Sequence, residues 1–202
     1  MTDARDDDGP RASALGRRIH VIGNTGAGKS TLAAQLAAAL GIPLVELDAL
    51  NWQPGWVDLT RADPAQFERR LAAATAGDAW VVAGSYSRFC QRIFWSRVET
   101  VIWLDLSLPR IVARILRRSW RRWRTREHLW GTNYERFWPQ LRLWSDDSLI
   151  RWALTQHGRK RRWTLAQGLD PRWRAIRFIR LRAPAEVAAL LRAAERGGDA
   201  SS

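Results

Sequence analysis

Short apolar runs alternate with longer amphipathic stretches along the chain. Arg18-Ile19-His20-Val21-Ile22 has the length and β-branched content of a buried strand, and residues 31–40 read as a helix closed by Gly41. Residues 42–47 form a second predicted strand, ending at Asp48. After a loop carrying Trp52, Pro54, Gly55 and Trp56, Asp63 and Pro64 supply the N-cap and first position of a helix through residue 76. Residues 79–83 predict a third strand, broken by Gly84, and residues 99–104 a fourth, ending at Asp105. Pro109 opens a helix with Ile111, Val112, Ile115 and Leu116 on one face. Residues 174–181 alternate like a fifth strand, and residues 184–194 form a closing amphipathic helix. Strands separated by helices predict an α/β fold: a parallel sheet of about five strands flanked by helices, with right-handed crossovers. Binding groups should then gather at the strand C-terminal ends, at Gly23, Asp48, Gly84 and Asp105. Residues 1–16 and 197–202 read as disordered tails, which leaves one domain over residues 17–196.

Between the first strand and the first helix stands Gly23-Asn24-Thr25-Gly26-Ala27-Gly28-Lys29-Ser30, followed by Thr31. This is a complete P-loop in the context it requires. Its glycines let backbone N–H groups turn inward around a phosphate, and the helix N-terminus adds partial positive charge. Lys29 reaches the terminal phosphates, and Ser30 offers a hydroxyl to magnesium. The segment therefore predicts binding of a nucleoside triphosphate. Lys29 and Lys160 are the only lysines in a chain that otherwise uses arginine. A point charge on a flexible stem suits the loop better than a planar fork.

The net charge of +13 adds a second theme. Much of it lies in residues 110–126 and 151–182, and such charge attracts nucleic acid nonspecifically. Several of the thirteen tryptophans are interleaved with arginine, as in Arg118-Ser119-Trp120-Arg121-Arg122-Trp123-Arg124. No apolar run is long enough to span a bilayer, and the acidic, polar start does not read as a signal sequence. Cys90 stands alone, which excludes an internal disulfide and makes the cytoplasm the expected compartment. His128 and His157 lack metal-ligand spacing and read as surface or packing residues.

Several further motifs combine into a resemblance. They are Leu47-Asp48-Ala49-Leu50-Asn51-Trp52 with Pro54-Gly55-Trp56, Gly84-Ser85-Tyr86-Ser87, Val101-Ile102-Trp103-Leu104-Asp105, and His128-Leu129-Trp130-Gly131-Thr132-Asn133-Tyr134-Glu135. Together with the P-loop they make the chain, over about residues 19–191, resemble the adenylate-kinase-related P-loop proteins known as topology-modulation proteins. These belong with the nucleotide, shikimate and gluconate kinases.

The resemblance implies an ATP- and Mg2+-dependent phosphotransferase acting on a small hydroxyl or phosphate acceptor, with Lys29, Asp48 and Arg118 as its catalytic residues. Gly23 to Thr31 would hold the nucleotide and Ser30 the metal. Asp48 would face the acceptor or magnesium; the other reading is a turn cap. Trp52, Trp56 and Tyr86 fall in the acceptor region, where the tryptophans either stack on substrate or plug the core. Arg88 and Arg92 correspond to acceptor-phosphate arginines or to solvated helix residues. Arg114-Ile115-Leu116-Arg117-Arg118 resembles the start of an arginine-rich lid, expected over about residues 117–145. There Arg114 would meet the adenine and Arg118 the triphosphate. Ala83 departs from the pattern, because related nucleotide kinases carry aspartate at that strand end; Asp48 or Asp105 would have to replace it. The alternative function is a nucleotide-binding regulator that contacts DNA or RNA through its Arg/Trp surface.

Overall fold

The computed structural model describes residues 15–125, 128–129, 133–134 and 149–199. Five strands form one parallel sheet: β1 (Arg18–Gly23), β2 (Leu44–Glu46), β3 (Trp80–Ala83), β4 (Thr100–Leu104) and β5 (Arg177–Leu181). Their spatial order is β2-β3-β1-β4-β5. Six longer helices flank it: α1 (Lys29–Leu40), α2 (Pro64–Ala74), α3 (Ser87–Ile93), α4 (Leu108–Thr125), α5 (Leu149–Leu169) and α6 (Pro184–Asp199).

Period-2 alternation sorts the strand residues between two cores. Ile19, Val21, Val81, Ala83, Ile102 and Leu104 pack with Leu36 of α1 and Leu190 of α6. Ile22, Trp80, Val82, Val101 and Trp103 pack on the other face with Phe67 and Leu71 of α2 and Trp95. A sheet buried on both faces explains why its strands read as nearly continuous apolar runs. A third cluster joins Ile111 and Ile115 of α4 to Ile150 and Ala153 of α5.

The predicted helix start at Asp63 is realised, its carboxylate accepting from the Gln66 N–H at 2.9 Å. Other boundaries differ. The second strand stops at Glu46, and Leu47–Asn51 forms a short helix, so Asp48 lies in a helical first turn rather than at a strand end. Leu15 is fully buried and its carbonyl accepts from Thr100 Oγ1 at 2.6 Å, so the packed fold reaches into the expected leading tail. Helix α6 likewise continues to Asp199, past the expected boundary at 196. The rest of both predicted tails lies outside the described residues. Helix α5 had no counterpart in the sequence reading. The expected lid begins inside α4, and most of it lies outside the described residues. Its described part is an antiparallel pair of His128–Leu129 with Asn133–Tyr134, the second strand lying against the Pro54–Trp56 turn.

Candidate active site

The P-loop crosses from β1 to α1 with Gly26 at φ 73° and Gly28 at φ 96°, both in the left-handed region where a side chain is strained. Space is closed as well. A Cβ on Gly26 would come 2.5 Å from Ile115 Cγ1, and one on Gly23 would come 2.8 Å from the Leu104 carbonyl oxygen. Ser30 and Thr31 stand exposed in the first turn of α1, where its unpaired N–H groups face solvent. The cradle thus has the glycines, hydroxyl and helix N-terminus that a polyphosphate needs.

Asn24 fixes the start of the loop. Its Oδ1 accepts from the Thr25 N–H at 2.9 Å, its Nδ2 donates to the Ala153 carbonyl of α5 at 3.3 Å, and His157 Nδ1 lies 3.4 Å away. Lys29 folds back over the loop, donating from Nζ to the Asn24 carbonyl at 3.1 Å. Burial of the ammonium pulls its pKa below the usual lysine value; the Asp48 carboxylate opposes that shift and the Arg118 guanidinium adds to it. Asp48 and Arg118 thus lie within electrostatic reach of Lys29. Arg114 reaches the P-loop itself, donating from Nη1 to the Ala27 carbonyl at 2.7 Å.

Asp48 is half-buried and accepts from the Tyr86 hydroxyl at 2.8 Å. Burial, and then the Asp48 carboxylate, push the Tyr86 pKa above its usual value, so the phenol stays a proton donor to that carboxylate. Ser85 on the same loop donates to the Gly23 carbonyl at 3.1 Å, tying the end of β3 to the P-loop. Ala83 is 3 % exposed in the core beneath α1. Asp105 is occupied structurally: Oδ2 accepts from Arg180 Nε at 2.9 Å and from Arg161 Nε at 3.1 Å. Of the two carboxylates considered as replacements for the absent aspartate, Asp48 is the one beside Lys29.

The other acceptor-region residues divide. Trp52 and Trp56 meet edge-to-face at 5.7 Å outside the buried clusters, Trp56 being 41 % exposed, so this pair does not plug the core. Arg88 is exposed at the start of α3, and Arg92 is paired with Glu68 of α2. Cys90 is buried, which raises its thiol pKa and suits a packing role.

Sequence reasoning missed what α5 contributes. With Gly23, Asn24, Ser85 and Ser87, the α5 residues His157 and Lys160 line a cavity of about 50 Å³ over the strand ends. Burial lowers the Lys160 pKa to about 8, with Lys29 lowering it further and Asp48 opposing. The signal available was its rarity: it is the only lysine besides Lys29. His20 and Trp95 also line this cavity; buried His20 donates from Nε2 to the Gly84 carbonyl at 3.0 Å and accepts at Nδ1 from Trp95 Nε1 at 2.9 Å. Among the described residues there is no cluster of three or more metal-ligating side chains, and no helix is long and apolar enough to cross a membrane.

The chain matches no protein-family profile and no curated protein sequence. Its fold does match solved structures. A gluconokinase from Sinorhizobium meliloti 1021 aligns with a TM-score of 0.50 at 18% identity, covering 93% of this chain and 94% of that one. A deoxyadenosine kinase from M. mycoides aligns with a TM-score of 0.50 at 14% identity, covering 90% and 98%. The fold is that of the P-loop small-molecule kinases.

Proposed function

We propose that the protein is an ATP- and magnesium-dependent phosphotransferase that phosphorylates a small hydroxyl or phosphate acceptor. The observation that carries this reading is the placement of Asp48, held by Tyr86, beside the P-loop lysine. A carboxylate there repels a polyphosphate unless a cation lies between them. It is suited to accepting the proton of a hydroxyl that attacks the terminal phosphoryl. Lys29 and the loop N–H groups hold the phosphates. Ser30 and Asp48 are the oxygen donors on hand for a magnesium ion that keeps several of its waters. Bound magnesium-ATP supplies the γ-phosphoryl and neutralises part of its charge. Arg114, which is bonded to the loop, and Arg118, within electrostatic reach of Lys29, add positive charge where negative charge spreads in the transition state.

The acceptor is a nucleoside, a nucleotide or another hydroxyl compound; the sugar-acid and nucleoside kinases of the same fold bracket that range. Transfer of label from γ-labelled ATP to a panel of nucleosides, nucleotides and sugar acids tests the reading. Acceptor-dependent transfer by the wild type, abolished in Lys29→Ala, supports it. ATP binding with no transfer to any acceptor class would refute it.

One observation favours a second reading. Trp120 and Trp123 are 46 % and 42 % exposed on the arginine-rich end of α4, as in a surface that stacks bases and neutralises phosphates. Salt-dependent binding of single-stranded nucleic acid that is lost on replacing both tryptophans, in a protein without transfer activity, would favour a nucleotide-binding regulator.

A further inference from the structure

We propose that Arg114 is a positioning residue of the phosphate cradle: by holding the Ala27 carbonyl, it aims the Gly28 N–H at the bound polyphosphate. The inference rests on the nucleotide-binding reading above, and it gives this arginine a task at the loop rather than at the adenine. Helix α4 packs on the loop at successive residues. A Cβ on Gly26 would meet Ile115 Cγ1 at 2.5 Å and the Ile111 carbonyl oxygen at 3.3 Å. One on Gly28 would meet Arg114 Nη1 at 3.1 Å, and that same nitrogen donates to the Ala27 carbonyl at 2.7 Å. The guanidinium therefore lies against the peptide that joins Ala27 to Gly28.

The consequence lies in the peptide itself. In a trans peptide the C=O of one residue and the N–H of the next point in opposite directions. Pinning the Ala27 carbonyl toward α4 thus turns the Gly28 N–H away from α4. Gly28 is the N-cap of α1, so its N–H belongs with the donors that an anion meets at the start of that helix. The peptide needs holding, because at φ 96° and ψ 24° Gly28 has no Cβ to resist a flip. Neighbouring carbonyls are held from nearby in the chain: that of Asn24 takes the Ala27 N–H at 3.2 Å, and that of Gly28 takes the Leu32 N–H at 3.0 Å. The Ala27 carbonyl is instead held by a side chain 87 positions away. A donor fixed before the ligand arrives adds to affinity without an ordering cost on binding.

Calorimetry in the presence of magnesium, with the imido analogue of ATP and with inorganic tripolyphosphate, tests this on Arg114→Met and Arg114→Ala. Loss of the charge-assisted bond should weaken both ligands about ten- to hundredfold, and by factors that agree within about twofold, because the defect lies in the cradle. Amide NMR of the isotope-labelled protein supplies the second readout. In the wild type, tripolyphosphate should move the Gly28 amide proton downfield as its hydrogen bond forms. In the variants that movement should shrink, while those of Lys29 and Ser30 persist. Unliganded melting midpoints certify that the variants fold, and the Ala variant carries the test if the Met variant does not. A weakened ATP analogue with tripolyphosphate unaffected would overturn the proposal in favour of an adenine contact. Weakening of both ligands with the full Gly28 movement retained would overturn it in favour of charge acting at a distance, and unchanged affinity for both would leave Arg114 no part in the cradle. A wild-type protein that binds neither ligand would instead remove the P-loop reading beneath it.

Discussion

Protonation of His20 should destabilise the fold in a pH window set by its burial. The ring is 1 % exposed, donates to the Gly84 carbonyl and accepts from the Trp95 indole N–H. A second ring proton would have to sit on Nδ1, turned against that indole donor, in a site almost closed to bulk solvent. Burial lowers the pKa from 6.5 to about 4, the Gly84 hydrogen bond opposing the shift. At about 1.4 kcal/mol per pKa unit, this corresponds to roughly 3 kcal/mol. The folded state binds the proton less readily than the unfolded one. The stabilisation is therefore complete above pH 6.5, is lost as pH falls toward about 4, and changes no further below that. Between about pH 7 and about pH 5.5 the expected loss is about 1 kcal/mol. That interval lies below the lowered pKa of Lys160 and above the range of Glu99, whose hydrogen bonds from Arg17 and Arg18 and ion pair with Arg18 hold its carboxyl down. Urea denaturation followed by tryptophan fluorescence measures the change, with His20→Asn as the reference that cannot take up the proton. The variant should start less stable and lose less on acidification. If wild type and His20→Asn show the same loss over this interval, His20 does not titrate as its burial requires and the argument fails.

Asp48→Asn should leave nucleotide affinity unchanged and reduce phosphoryl transfer by a hundredfold or so, the usual size of a lost general base, whereas Tyr86→Phe should give a smaller loss with an altered pH–rate profile. Equal turnover in Asp48→Asn and wild type on the identified acceptor would reduce the carboxylate to a turn cap. Replacing Arg114 and Arg118 together by alanine should cost about a thousandfold in turnover if they act on the transition state, against a change of roughly two in the salt slope if they only touch nucleic-acid phosphates. Gly26→Ala combines left-handed strain with the close approach to Ile115, and should destabilise by about 2–4 kcal/mol in urea titrations. Gly41→Ala, with φ 61° and no neighbour within 4 Å, isolates the strain at about 1 kcal/mol. Similar losses at the two glycines would mean that the P-loop can yield where it packs on α4.

The parts of the molecule legible in the sequence are those whose structure is decided locally. The central strands β1, β3 and β4 are largely apolar on both faces, β5 alternates, Asp63-Pro64 caps its own helix, and the P-loop glycines sit where their own backbone demands them. Helix α5 was illegible for a physical reason: on the face it turns to the protein, apolar Ile150, Ala153 and Trp163 are interrupted by polar residues. Its partners are the Asn24 amide, the Asp105 carboxylate and the cavity over the strand ends, so no clear apolar stripe marks which side is buried. A tertiary packing contact hid the end of β2. Leu47 turns beneath Gly84, where an added Cβ would lie 2.7 Å from Leu47 Cβ, and the chain coils into a short helix instead of extending to Asp48. That turn still leaves Asp48 against the Tyr86 hydroxyl, a partner 38 positions away. Asp105 makes the complementary case. As a strand-end aspartate it looked equivalent to Asp48, and only Arg161 and Arg180, 56 and 75 positions distant, commit it to structure. Local sequence thus placed the glycine-rich loop, while the surroundings of Asp48, Asp105 and Lys160 were decided by contacts distant in sequence. Those contacts carry little signal in a hydrophobicity pattern, because Arg161, which neutralises Asp105, and Lys160, which lines the cavity over the strand ends, are equally polar residues on the same helix.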